Sequence, residues 1–108
     1  MMSNHDISPK SLALLIHAIA AYSEIESAVL FGSRAKGTHR RGSDIDLAIK
    51  GKTCTPLIAI QLNATLNGNL PIPYHVDVVH YESLQNSSLI EHIDRVGRLI
   101  YEKNKMIR

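Results

Sequence analysis

The sequence predicts an α/β fold in which one small sheet is covered by helices. Three observations predict it. Apolar residues recur at helical spacing in three separate stretches, two shorter stretches alternate with period two, and a third, Ser27 to Phe31, is a short apolar run. Gly or Pro punctuates most junctions between them. Helical and extended segments taking turns along 108 residues make one layered domain, residues 1–108, with room for a single modest core.

The elements follow in order. Residues 1–7 are expected to form a flexible tail. Ser8 and Pro9 read as an N-cap and first helical position, and Leu12, Leu15, Ile16 and Ile19 carry a helix from Pro9 to about Tyr22. Ser27 to Phe31 is a strand. Ser33 to Gly37 is a turn or two of helix, closed by Gly37. A polar loop, Thr38 to Ser43, leads to a second strand, Asp44 to Lys50. Thr55-Pro56 opens a helix with an apolar stripe of Leu57, Ile58, Leu62 and Leu66, stopped by Gly68 and Pro71. Tyr74 to His80 is the third strand. From Ser88 a last helix places Leu89, Ile93, Val96 and Ile100 on one face.

Composition narrows the function. A net charge of +2 is too small for general nucleic-acid binding, so no strong nucleic-acid partner is expected. The basic residues gather locally at Arg34, Lys36, Arg40 and Arg41, which suits a small polyanion better than a long phosphate backbone. Cys54 is the single cysteine, so no internal disulfide can form and a reducing cytoplasm is the expected location. The N-terminus is polar, without the pattern of a signal peptide. The longest apolar run, Leu12 to Ala21, is broken by His17 and too short for a bilayer, so no membrane role is expected.

The chemistry concentrates between Val29 and Ile49. Period two puts Asp44, Asp46 and Ala48 on one face of their strand and Ile45, Leu47 and Ile49 on the other. Two carboxylates about 7 Å apart on one strand face can share divalent cations that sit about 4 Å apart. Gly32-Ser33, at the end of the preceding strand, offers backbone N–H groups and a hydroxyl to phosphate oxygens. Phosphate donors beside metal-binding carboxylates suggest a nucleoside triphosphate. Asp-x-Asp or Gly-Ser alone is a common accident; Gly-Ser, ten residues and Asp-x-Asp between two strands is a specific combination. A zinc reading of the histidines fails, because His75 and His80 fall on opposite faces of one strand.

Phe31-Gly32-Ser33-Arg34-Ala35-Lys36-Gly37, continued by Ser43-Asp44-Ile45-Asp46-Leu47, resembles the signature of the DNA polymerase beta-type nucleotidyltransferase superfamily. Within it the chain resembles the minimal nucleotidyltransferases (MNT proteins), a likeness that extends to Asp77 and to the closing Val96-Gly97-Arg98-Leu99-Ile100-Tyr101. The resemblance implies a small mixed sheet flanked by helices, the polymerase beta-like nucleotidyltransferase fold. It implies ATP as substrate and two magnesium ions held by Asp44 and Asp46, with Asp77 as third carboxylate. An aspartate inside Val76-Asp77-Val78 is costly unless paired or metal-bound, which fits a carboxylate that takes the proton of an attacking hydroxyl. Gly32, Ser33, Arg34 and Lys36 are the expected phosphate contacts, with Arg40 and Arg41 in reach of phosphate or partner.

The resemblance also implies a partner. MNT proteins are commonly the antitoxin of a HEPN/MNT toxin–antitoxin pair, in which AMP passes from ATP to a tyrosine of the HEPN RNase in a hetero-oligomer. Two alternatives stay open: a binding-only antitoxin, and a nucleotidyltransferase for a small molecule or nucleic acid completed by a separate subunit.

Overall fold

The computed structural model describes residues 5–40 and 42–104. Four strands, β1 (Ser27–Phe31), β2 (Ile45–Lys50), β3 (Val76–His80) and β4 (Arg98–Glu102), form one sheet in the order β3-β2-β1-β4. β1 is antiparallel to β2 and to β4, whereas β2 and β3 are parallel, so the sheet is mixed. The helices are α1 (Pro9–Ala20), α2 (Gly32–Lys36), α3 (Pro56–Gly68) and α4 (Ser87–Val96). α3 is the crossover that a parallel pair requires. Among the described residues no helix is long and apolar enough to cross a membrane.

Local chemistry sets the helix ends. The Ser8 hydroxyl accepts from Ser11 N–H at 3.1 Å, and Thr55 Oγ1 accepts from Ile58 N–H at 3.4 Å; a proline follows each cap. α2 closes at Gly37, whose φ of 81° is left-handed.

Strand alternation divides the core in two. Ala28, Leu30, Ile45, Leu47, Ile49, Val76 and Val78 pack with Leu15 and Ile19 of α1 and Leu62 and Leu66 of α3. On the opposite face Val29, Phe31 and Ala48 meet Ile93 of α4. This second face is the one that carries Asp46 and Asp77.

Three expectations are corrected. Ile100 belongs to a fourth strand, not to the last helix: α4 ends at Val96 and the chain returns as β4 along the open edge of β1. Gly97 makes this return possible, because a Cβ there would collide with the carbonyl oxygen of Ile93 and with Val29 Cγ1. Residues 5–7 pack against the domain and do not extend away from it as a tail. Ile7 is buried, and the His5 carbonyl accepts from Arg34 Nη1 at 2.7 Å; residues 1–4 lie outside the described residues. Finally, the third strand begins at Val76, two residues after Tyr74.

The outer edge of β3 is closed by side chains. Asn67 Oδ1 accepts from Val76 N–H at 2.8 Å while its Nδ2 donates to the Val76 carbonyl at 2.7 Å. Asn63 repeats the pattern on Val78, at 2.9 and 3.1 Å. One turn apart on α3, the two carboxamides act as a short surrogate strand and hold the residue between them, Asp77, in register.

Candidate active site

The site lies where β1 runs into α2 beside the start of β2. Phe31 is the register partner of Asp46, so the residue after Phe31 must pass close to that carboxylate. Gly32 does so with φ 77°, and a Cβ on it would overlap Asp46 Oδ2. Glycine is therefore required twice, by the backbone angle and by the carboxylate. The Gly32 N–H donates to His92 Nε2 of α4 at 3.1 Å.

Asp46 and Asp77 are register partners on the parallel strands β2 and β3, about 5 Å apart at their Cα atoms. Asp46 is half-buried and Asp77 is exposed. That exposure corrects the sequence argument for Asp77: its apolar neighbours turn to the other face, so no burial cost singles it out. Its place beside Asp46 does. Asp44, just before the first residue of β2, is exposed. Burial pushes the Asp46 carboxyl above its ordinary value, and the charges of Asp77 and then Asp44 push it further, against a smaller opposite effect of His75.

Hard oxygen donors that repel one another fit a divalent cation, which would replace the repulsion with attraction. The fit is one of chemistry and not of a finished cage, since among the described residues no three His, Cys, Asp or Glu side chains already converge on a point.

The phosphate-binding expectations separate. Ser33 is half-buried beside Gly32, and Lys36 is exposed at the end of α2. Arg34 is not at the carboxylates. It is 1% exposed, its Nε and Nη2 donate to the Ser43 carbonyl at 3.1 and 2.8 Å, and its guanidinium lies 4.5 Å from the Tyr74 ring centroid. With Nη1 on His5, it ties Ser43 and the 5–7 segment to the domain. A buried guanidinium needs such acceptors, and three of its five N–H donors are committed to them. Arg40 is exposed, and Arg41 lies outside the described residues. A polar cavity of about 290 Å³, lined by Asp6, Arg34, His39, Arg40, Gly42 and Tyr74, includes none of the three aspartates.

Two histidines near the carboxylates have no role in the sequence analysis, where His75 is weighed only as a zinc ligand and His92 is not named. His75 precedes β3 and acts electrostatically on Asp46. Its sequence signal was available, because it shares the period-two face of Asp77. His92 had no signal, since a histidine on an amphipathic helix points to nothing until α4 is packed.

The family model described as Polymerase beta, Nucleotidyltransferase matches residues 14–106. The chain belongs to that family. The pairing of Asp46 with Asp77 beside Gly32-Ser33 lies wholly within the matched residues. Solved structures show the same fold. A chain of a toxin–antitoxin crystal structure with AMP-PNP superposes with a TM-score of 0.66 at 24% identity, covering 89% of this chain and 74% of that one. A chain from a structure of tri-AMPylated Shewanella oneidensis HEPN toxin in complex with MNT antitoxin gives 0.65 at 19%, covering 89% and 73%. A putative nucleotidyltransferase from Sulfolobus solfataricus gives 0.54 at 16%, covering 100% and 96%. No curated protein matches the chain in sequence.

Proposed function

We propose that this polymerase beta-family protein is a magnesium-dependent adenylyltransferase that modifies a tyrosine of a HEPN-domain partner and thereby acts as its antitoxin. The observation that carries the reading is the Asp46–Asp77 pair, with Asp46 seated against Gly32 and Asp44 beside it. The likeness in fold to chains from toxin–antitoxin structures, one with AMP-PNP and one with an AMPylated HEPN toxin, supports the choice of substrate and partner.

The roles follow from position. The Ser33 hydroxyl and N–H hold phosphate oxygens, and Lys36 adds positive charge from the end of α2. Asp44, Asp46 and Asp77 would hold two magnesium ions, which supply charge neutralisation at the α-phosphate. The acceptor hydroxyl forms a bond to the α-phosphorus, the bond from the α-phosphorus to the bridging oxygen breaks, and pyrophosphate leaves. Asp77, the exposed member of the pair, receives the hydroxyl proton. A tyrosine, with a pKa of about 10, needs such a base at neutral pH.

The test is the intact mass of the co-expressed HEPN partner after incubation with ATP and Mg²⁺. The wild type should add AMP units, and the Asp44→Asn, Asp46→Asn double variant none. A partner that stays unmodified yet is inhibited selects the contact-only antitoxin. That second reading draws on the exposed apolar side chains of α3, Leu57 at 58% and Ile60 at 64% exposure, one turn apart.

A further inference from the structure

The turn assigned above to the phosphates is held by a residue from the far end of the chain. Gly32 N–H donates to His92 Nε2 at 3.1 Å. The His92 ring also stands edge-on to Phe31, with centroids 6.0 Å apart and an interplanar angle of 80°. Its helix is fixed on the sheet: the next residue, Ile93, is buried with Val29, Phe31 and Ala48, and the close passage at Gly97 pins the end of α4. Both ends of the hydrogen bond are therefore anchored.

Among the described residues, no other side chain takes the Gly32 amide. An amide at the start of a helix has no intrahelical acceptor, and Phe31, the N-cap of α2, has no side chain to offer one. A ring nitrogen that accepts an amide proton carries none itself, so the imidazole is protonated at Nδ1. On another side of the same glycine lies the Asp46 carboxylate. Gly32 is held between a base from α4 and an acid from β2.

We propose that His92 is a positioning residue of the nucleotide site. By taking the Gly32 N–H it locks the peptide that admits Asp46, and it leaves the phosphate contact to Ser33 instead of Gly32. The inference rests on the nucleotidyl-transfer reading above. His92 itself does not meet the reacting atoms.

Calorimetry of ATP with Mg²⁺ on the full chain, comparing wild type, His92→Ala and His92→Gln, tests it. The Gln carbonyl oxygen can take the place of Nε2 as acceptor; Ala offers none. Loss of the acceptor should weaken ATP binding about tenfold, and Gln should restore it to within about threefold. In turnover the loss should fall on KM for ATP more than on kcat. A 15N scalar coupling between the Gly32 amide and His92 Nε2 should appear in the nucleotide-free wild type and vanish in His92→Gln.

Wild-type affinity in His92→Ala overturns the proposal, and so does equal weakening in the Ala and Gln variants. A wild type that itself binds no ATP overturns the nucleotide reading along with it. A wild type that binds, beside a His92→Ala that binds equally, overturns this inference alone.

Discussion

The Asp46 carboxylate occupies the space where a side chain on Gly32 would begin. The proposed phosphate turn and the proposed metal-binding carboxylate are thus one packing unit, although thirteen residues separate Gly32 from Asp46 in the chain. Substituting either should disturb both functions. Gly32→Ala places a Cβ at φ 77° and against Asp46 Oδ2. The expected cost is about 1–3 kcal/mol of stability from backbone strain, with a fall in transfer of about 100-fold from the displaced carboxylate. Urea unfolding and single-turnover transfer measure the two. A fully active Gly32→Ala would deny that the contact matters.

Asp46 makes stability depend on pH in a defined direction. Burial first, and then Asp77 and Asp44, hold its folded pKa above the ordinary carboxylate value, so the folded chain binds the proton more tightly than the unfolded one. Stability from this group is fully present below the ordinary carboxylate pKa and is lost as pH rises through the raised value. In chelator, Asp46→Asn should therefore match the wild type at low pH and melt higher than it at neutral pH. Added Mg²⁺ should raise the wild-type melting temperature more than that of the variant. Parallel melting curves for the two proteins across pH would remove the argument.

Asp77→Asn keeps shape and exposure but cannot accept a proton. ATP should still bind within about threefold of wild type, while transfer falls by about 100-fold or more. Quench-flow with radiolabelled ATP separates the two effects, and transfer at the wild-type rate would show that another group is the base.

Arg34 should behave as a structural residue. Lysine cannot reproduce three donors on two carbonyls, so Arg34→Lys is expected to cost about 2–3 kcal/mol. The ATP affinity of the folded fraction should be unchanged. Denaturant titration beside calorimetry reads both, and weaker ATP binding at full stability would return Arg34 to the phosphates.

Asn67→Ala removes both hydrogen bonds to Val76 at the outer edge of β3. The expected loss is about 1–3 kcal/mol from unpaired backbone groups. Hydrogen exchange at the Val76 amide should accelerate while that of Leu47 on the central strand stays slow. Unchanged exchange at Val76 would mean that the edge is held by other contacts.

The sequence by itself determined what depends on neighbours in the chain. Period two sorted Asp46 and Asp77 from their apolar flanks, because successive side chains on a strand must alternate. Ser8, Thr55 and Gly37 marked their helix ends, because caps satisfy orphan backbone groups within a few residues. Tertiary structure decided everything that a distant surface selects. Val96 and Ile100 continue the helical spacing of Leu89 and Ile93, so periodicity favoured one long helix. The open edge of β1 and the tight passage at Gly97 instead draw residues 98–102 into a strand. Arg34 sits in the signature segment, yet its fate was set by the carbonyls of His5 and Ser43, which only the folded loop brings to it. Asn63, Asn67 and His92 carry no local signal, because each completes backbone groups on a strand or turn that is remote along the chain and adjacent only in the packed domain.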